Sequence, residues 1–570
     1  MLKDSIKDIV AQLQNGQLSK EEALERIELL KKQASSPVAK QITQSELSIY
    51  EPSLKSLEQL EQAQANAETV TIFIATDKKI HQAIERHFTG QCQILSPNEE
   101  GISIAQTVLV QLFQVLKSWL LQKQSSASMI RVVSFQDSET VDLSISIAAL
   151  LKTVQQENPQ LHCRSLHLPA AMAFKPQLEE VITAHSTPYT HSIIQESGIA
   201  ACRSWQPVEN AQSSIPWKSN KVYLISGGVG KLGLQIAEEI ANTTQGCTLV
   251  LFGRSRLSPA TEKAIQALRE KALVVDYWQV NVSDAGEVHY FIHAVTSLYG
   301  TPNGMIHLAG IYQDNYITRK SEAEFKAVLA PKITGAVLLD EATRDMKLDF
   351  FILFSSIAGV VGNVGQSDYA AANGFLNAFA TYRNTLVAKG KRFGHTLAIN
   401  WPFWTGGGMQ MNPAYQEELR EKFGLKITPT EGMAAFYKCW GSRLTEAMVL
   451  KGDQTKLSAW INEEKPLLAP IVSKAIQPSR HIQSKLVTAL TSLIAKNIKT
   501  HPTNIERFVS FERYGIDSFM ITRINTALAA IFPRLSKTVF YEYPNVDELS
   551  TFLLAQFPQE SAKWVGEVSV

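Results

Sequence analysis

The run KVYLISGGVGKLG, from Lys221 to Gly233, is a strand that breaks into glycines and reopens as a helix near Leu234. Lys221–Ser226 supplies the strand, and Gly227, Gly228, Gly230 and Gly233 follow directly, with Leu232 between the last two. Glycines in such a turn permit a tight reversal, let the backbone come close to a pyrophosphate, and aim helix N–H groups at it. Spaced glycines alone are a weak signal, but the strand–turn–helix context they require is present. The reading is an α/β unit that binds a dinucleotide.

The next strand, Thr248–Phe252, ends in Gly253-Arg254-Ser255. An acidic residue here would hold a ribose 2′-hydroxyl, whereas a basic one favours the 2′-phosphate of NADPH. Arg254, with Ser255 beside it, therefore points to NADPH. A third strand ends at Asn281-Val282-Ser283-Asp284, where an adenine edge would lie. Met305–Gly310 reads as a strand entering a loop and Phe350–Ser356 as another strand, and Gly365-Gln366-Ser367-Asp368-Tyr369-Ala370-Ala371-Ala372-Asn373 comes after them. Reducing a ketone needs a proton donor at oxygen while hydride arrives at carbon. A tyrosine serves if a nearby cation lowers its pKa from about 10, and a hydroxyl such as that of Ser356 can polarise the same oxygen.

The rest of the chain frames this unit. With 570 residues it is too long for one core and divides into about three or four structural units. Lys+Arg number 55 against 54 Asp+Glu, which gives no electrostatic footprint for nucleic acid. The five cysteines are scattered without a CxxC pair, so neither a zinc site nor a disulfide framework is supported and a reducing cytoplasm is expected. Residues 5–33 read as two short helices, the second with a capping box from Ser19 to Glu22. From Thr69 strands and helices alternate, with strands at Thr69–Thr76, Cys92–Leu95, Met129–Phe135 and His162–Leu168. The first of these is followed by Asp77-Lys78-Lys79 and no glycine, so this second unit reads as a scaffold without cofactor. Ile102 to Leu121 is broken by Gln106, Gln111, Gln114 and Lys117, and reads as a buried helix with no membrane insertion. Beyond a Pro-containing linker, Leu486, Leu490, Leu493 and Ile494, then Met520, Ile521, Ile524, Leu528 and Ile531, define a small helical bundle.

Four residue types at set intervals carry a family resemblance. Ser356 lies 13 residues before Tyr369, Lys332 lies 37 before it, and Asn373 lies four after it. This set resembles the ketoreductase domains of modular polyketide synthases, within the short-chain dehydrogenase/reductase superfamily. Free-standing members carry Tyr-x-x-x-Lys, whereas the synthase domains resemble the exchanged arrangement here, with the lysine early and the asparagine late. The resemblance implies that Tyr369 protonates the carbonyl oxygen, Ser356 bonds to it, Lys332 lowers the tyrosine pKa, and Asn373 supports the lysine and a water relay. It places Pro402 of Asn400-Trp401-Pro402 against the carboxamide and makes the residues after Gly406-Gly407-Gly408 a lid. Asp314 matches the last residue of the Leu-x-Asp motif of B-type domains, although Tyr312 replaces the leucine. The tryptophan that marks A-type domains would fall at Val361 and is absent. The resemblance thus implies a D-configured alcohol from a β-ketoacyl group.

Tyr514-Gly515-Ile516-Asp517-Ser518-Phe519 resembles the attachment motif of acyl carrier proteins. That family implies 4′-phosphopantetheine on Ser518, its phosphodiester at a helix N-terminus that favours negative charge. The whole is similar to trans-acyltransferase synthases of the bacillaene type, which make antibiotics. The fold class expected is α/β, with two Rossmann-like doubly wound units and a C-terminal helical bundle. The boundaries expected are a helical linker over 1–65, a structural subdomain over 66–218, a catalytic subdomain over 219–462, a linker over 463–480 and a carrier over 481–558. Expected partners are a carrier-bound ketoacyl intermediate, a ketosynthase, a downstream module and a phosphopantetheinyl transferase, with no nucleic acid and no metal. Two other readings stand beside this one: an inert reductase half that serves as scaffold for a carrier, and a free-standing reductase of soluble ketones.

Overall fold

A computed structural model describes residues 47–56, 68–75, 77–96, 104–121, 128–136, 140–184, 191–194, 200–407, 426–462, 480–516 and 518–566. The two helices read over 5–33, the lid after Gly407 and most of the 463–480 linker lie outside the described residues.

The glycine turn sits at the centre of a parallel sheet. Its strands are β8 (Val222–Ser226), β9 (Thr248–Gly253), β10 (Val274–Gln279), β11 (Gly304–His307), β12 (Phe350–Ser356), β13 (His395–Trp401) and β14 (Glu446–Lys451). Their spatial order is β10-β9-β8-β11-β12-β13-β14, so the chain reverses direction across the sheet between β8 and β11. Ligands of open α/β sheets bind at that switch, outside the carboxyl ends of the strands. All five residues of β8 are buried, because helices cover both faces.

The preceding half repeats the plan. It holds β2 (Glu68–Ile74), β3 (Cys92–Leu95), β4 (Ser128–Gln136), β5 (His162–Pro169) and β6 (His191–Ile194), in the order β3-β2-β4-β5-β6, all parallel. Where a cofactor turn would follow β2, Asp77 caps helix α1 (Lys78–His87) and accepts from the Ile80 N–H at 2.8 Å. A carboxylate thus takes the helix-end amides that a phosphate would need.

Two antiparallel strands join the halves into one sheet. They are β1 (Leu47–Ser56) and β7 (Ala200–Pro207), with β1 paired to β14 on one edge and to β7 on the other. This corrects the expectation of a wholly helical 1–65, since β1 is a strand of the main sheet. The reason is burial, because Ile49 and Tyr50 are driven into the seam between the two halves. Pairing with β14 ends at Tyr50, so Pro52, which has no N–H to offer, falls beyond it.

Helices complete the seam. The apolar run predicted as a buried helix is α2 (Ile104–Leu121), long and apolar enough to span a membrane by length and composition. Here it stacks Phe113 on Phe325 with centroids 4.3 Å apart, while Lys117 donates to the Lys320 carbonyl at 2.7 Å. Helix α3 (Ser144–Glu157) lies along the helix that bears Tyr369. A Cβ on Gly374 of that helix would meet the Ser146 Cα at 2.9 Å, so glycine permits the close approach.

In the catalytic half the turn leads into α4 (Lys231–Thr243), which starts three residues earlier than predicted. Helix α5 (Glu322–Lys332) ends at the lysine, α6 (Ala358–Val361) follows Ser356, and α7 (Ser367–Ala388) bears Tyr369 and Asn373. Strand β10 ends at Gln279, so Asn281 and Val282 sit in the turn before the next helix. Strand β11 ends at His307, where the predicted run enters its loop. The C-terminal bundle is built from α8 (Arg480–Ile498), α9 (Ser518–Ala529), α10 (Val539–Glu542) and α11 (Val546–Gln556). Leu486, Leu490, Ile494, Ile521, Ile524 and Leu528 form its core with α11, and Leu493, Met520 and Ile531 are partly buried against it.

Candidate active site

Strand ends and helix starts converge on a cavity of about 1340 Å³. Gly227, Gly230, Leu232 and Gly233 line one end of it, with Arg254, Ser255, Asn281 and Val282 beyond. Lys332, Ser356, Tyr369 and Pro402 line the other end. One hollow therefore joins the glycine turn to these four side chains.

The cradle fits a dinucleotide on two grounds. Glycine is obligatory: a Cβ on Gly228 would lie 2.7 Å from the Ile225 carbonyl oxygen, and one on Gly233 would lie 2.5 Å from that of Gly227. Gly227 itself adopts φ of +64°, a left-handed conformation that favours glycine. The start of α4 also has no side-chain cap, so its first amides face the cavity free to bind an anion. Arg254 is exposed at the cavity rim, where the Gln279 amide holds its backbone carbonyl at 3.1 Å. Asn281 is fixed by its N–H donating to Glu287 at 2.7 Å and by its Oδ1 accepting from the Ser283 N–H.

Beneath the cradle a buried histidine ties three segments together. His307 Nε2 lies 3.0 Å from the Pro331 carbonyl, and its Nδ1 lies 2.7 Å from the Ser226 hydroxyl. A carbonyl only accepts, so Nε2 carries the proton and the Ser226 hydroxyl donates to Nδ1. Burial, and then Lys332 beside it, push the His307 pKa down to about 3, so the ring stays neutral. The Ser226 oxygen in turn accepts from the Leu308 and Ala309 amides. This network fixes the end of α5, and with it Lys332.

Tyr369 is partly buried at the cavity wall; desolvation raises its pKa, while the side chains of Ser356 and Asn373 lower it. Lys332 Nζ lies 5.7 Å from the centroid of the Tyr369 ring and donates to the Phe354 carbonyl at 2.9 Å. Burial pushes the Lys332 ammonium down to about 7. The lysine thus faces the tyrosine ring while it bonds to main chain. Asn373 donates from Nδ2 to the Tyr369 carbonyl at 2.7 Å, and its buried Oδ1 has no partner among the described residues.

Asp314 is exposed and joined through Gln366 to the cavity wall. The Gln366 amide donates to its Oδ1 at 2.8 Å, desolvation raises its pKa, and its charge raises that of Tyr369. Gln366 was within the quoted run, but a partner 52 residues away leaves no trace in local spacing. The same holds for Lys320, whose Nζ pairs with Asp368 at 2.8 Å where both are buried. Sequence reasoning also missed a chain of contacts behind Ser356. Arg203 of β7 pairs with Glu446, which accepts from Asn400 at 3.0 Å, and Asn400 accepts from Ser355 at 3.0 Å. Ser518 is the first residue of α9, and its side chain lies outside the described residues. No group of three His, Cys, Asp or Glu among the described residues could hold a metal.

Comparison with known proteins bears on both parts of the chain. The KR domain family matches residues 221–406, and the phosphopantetheine attachment site family matches residues 488–553. Polyketide synthase PksL of Bacillus subtilis (strain 168) is 33% identical over 83% of this chain and 11% of its own length. Polyketide synthase PksN of the same organism is 32% identical over 86% of this chain and 9% of its own length. The chain thus spans about a tenth of these relatives. The crystal structure of a ketoreductase domain from the bacillaene assembly line is 32% identical, with a TM-score of 0.66 over 73% of this chain and all of that one. With that structure covered end to end and a carrier matched behind it, the chain belongs to the ketoreductase domains of polyketide synthases and carries a phosphopantetheine-binding domain after its reductase.

Proposed function

We propose that this chain reduces a ketoacyl thioester, carried on 4′-phosphopantetheine at Ser518, to the hydroxyacyl thioester with NADPH during polyketide assembly. The observation that carries the reading is the single cavity that joins the glycine cradle to Tyr369 and Ser356. When bound, NADPH supplies the hydride that the carbonyl carbon receives. Tyr369 gives its phenolic proton to the carbonyl oxygen, so that C=O becomes CH–OH. Ser356 donates to the same oxygen and holds it beside the phenol. Lys332, when protonated, stabilises the phenolate left behind, and Asn373 offers its unpaired Oδ1 to a proton relay.

Arg254 at the rim favours the 2′-phosphate, which makes NADPH the preferred nucleotide over NADH. Asp314, held by Gln366, guides the acyl chain in the B-type manner, so the alcohol is D-configured. The ketosynthase and downstream module that hand on the intermediate, a phosphopantetheinyl transferase and a cytoplasmic setting complete the proposal. A scaffold-only role has less support, because the glycine turn, Lys332, Ser356 and Tyr369 line one cavity.

The test loads a ketoacyl arm on Ser518 with a phosphopantetheinyl transferase and the matching coenzyme A thioester. NADPH or NADH is then added and intact mass is followed. A gain of two hydrogens, faster with NADPH, supports the proposal. Failure of Ser518 to load, or a loaded ketone unchanged by either nucleotide, rejects it.

A further inference from the structure

One edge of α3, in the half that binds no cofactor, grips the loop between Ser356 and Tyr369 by its main chain. Lys152 Nζ donates to the Val360 carbonyl at 3.0 Å, and the Gln156 amide donates to that of Val361 at 2.6 Å. The Thr153 hydroxyl accepts from the Asn363 N–H at 3.1 Å. Glu157 ends the row: one carboxylate oxygen accepts from the Gly365 N–H at 2.9 Å and the other from the Ile317 N–H at 2.8 Å. These are residues i, i+1, i+4 and i+5 of one helix, a spacing that sets four side chains along a single edge.

The approach is as close as the backbone allows. Gly362 has φ of +74°, and a Cβ there would lie 2.8 Å from the Thr153 nitrogen. The two loops that Glu157 holds are also joined to each other. The Asn315 N–H donates to the Gly365 carbonyl at 2.9 Å, and Gln366 holds Asp314. The main-chain carbonyl of Glu157 faces the carrier as well, accepting from the Lys537 N–H at 2.9 Å. Nearby, the Arg319 guanidinium lies 4.8 Å from the Tyr541 ring of α10.

A carboxylate is costly to bury unless its oxygens are paired. Burial pushes the Glu157 carboxyl up to about 7, while the two N–H bonds, then Lys320 and Lys537, pull it down. Such a group is a costly choice for mere packing, since an apolar residue of similar size fills space at less cost. Its two oxygens instead select one relative position for two loops.

We propose that Glu157 is a positioning residue, which from the preceding half fixes Gln366 of the cavity wall, and the Asp314 that Gln366 holds, and thereby sets which face of the ketone is reduced. The inference rests on the ketoreduction proposed above. An error of about 1 Å in a positioned group costs on the order of a hundredfold in rate.

The test compares wild type with Glu157→Gln, Glu157→Ala and Thr153→Val, using a soluble ketoacyl thioester and NADPH. Glutamine keeps one acceptor and turns an amide donor toward the other N–H, so it should sit between wild type and alanine. Glu157→Ala should lower kcat by about tenfold to a hundredfold and erode the ratio of alcohol stereoisomers, with KM for NADPH unchanged. Amide hydrogen exchange should rise at residues 315–317 and 363–366 and stay as in wild type at 227–233. Thr153→Val, nearly isosteric, should raise exchange at Asn363 and shift the stereoisomer ratio in the same direction. An unchanged ratio in folded variants overturns the inference, as does exchange that rises uniformly across the reductase. A wild-type protein that reduces no ketone overturns the ketoreduction reading itself, whatever Glu157 does to exchange.

Discussion

Removing the ammonium of Lys320 should destabilise this reductase in a pH-dependent way. Lys320 and Asp368 are 0% and 1% exposed, and their charged atoms lie 2.8 Å apart. Lys320 Nζ also donates to the Gln313 carbonyl, while Asp368 Oδ1 accepts from the Tyr369 N–H at 2.8 Å. The pair therefore joins the loop at Gln313 to the first turn of the helix that bears Tyr369. Lys320→Met keeps the length of the side chain and strands the carboxylate, and breaking a buried pair costs about 3–5 kcal/mol. The sign with pH follows from Asp368, which burial raises from 3.8 to about 6 despite the lysine. The folded state holds that proton more tightly than the unfolded state, so stability falls as pH rises through this window. Without the ammonium the window extends higher, because the charged form has lost its main support. Urea unfolding followed by tryptophan fluorescence should show a deficit of about 3–5 kcal/mol at pH 8 that shrinks towards pH 5. Lys320→Met with Asp368→Asn keeps the acceptor for the Tyr369 N–H and removes the stranded charge. It should return to within about 1 kcal/mol of wild type. A single variant that loses less than about 1 kcal/mol at pH 8, or equal amounts at both pH values, refutes the reasoning. So does a double variant as unstable as the single.

Other expectations concern the site itself. Tyr369→Phe should lower kcat by about 10²- to 10⁴-fold with KM for NADPH unchanged, as measured by NADPH consumption with a ketoacyl thioester. Lys332 is depressed from 10.5 to about 7 by burial, so the unfolded chain binds more protons between those values and wild-type stability should rise with pH there. Lys332→Met should flatten that rise, and denaturant titrations at pH 7 and pH 9 measure it. Gly233→Ala places a carbon 2.5 Å from the Gly227 carbonyl oxygen, which should abolish NADPH binding in a fluorescence titration while the carrier still accepts its arm.

Legibility in the sequence followed distance along the chain. Strand β3 and strand β12 match their predicted bounds, and the cradle was evident because strand, glycines and helix are contiguous. Tyr369 and Asn373 share one helix, so their spacing carries structural meaning. Ser356 ends a legible strand, whereas Lys332 was reached through family intervals alone. What stayed hidden depends on long closures. Glu157 bonds Ile317 across 160 positions, and Arg203 meets Glu446 across 243. Neither residue belongs to a motif. Strand β1 was missed because LSIYEPSLKS contains a proline and its pairing partners lie at the far ends of both halves.

The strand that runs between β14 and β7 has a practical consequence for anyone transplanting this reductase into another assembly line. A fragment cut to the cofactor-binding half alone would strip the partner from β14 and leave a long row of unsatisfied backbone groups at its margin. Such a piece invites self-association before it meets any substrate. A graft that starts ahead of Leu47 carries its own closing strand and arrives with that margin already sealed.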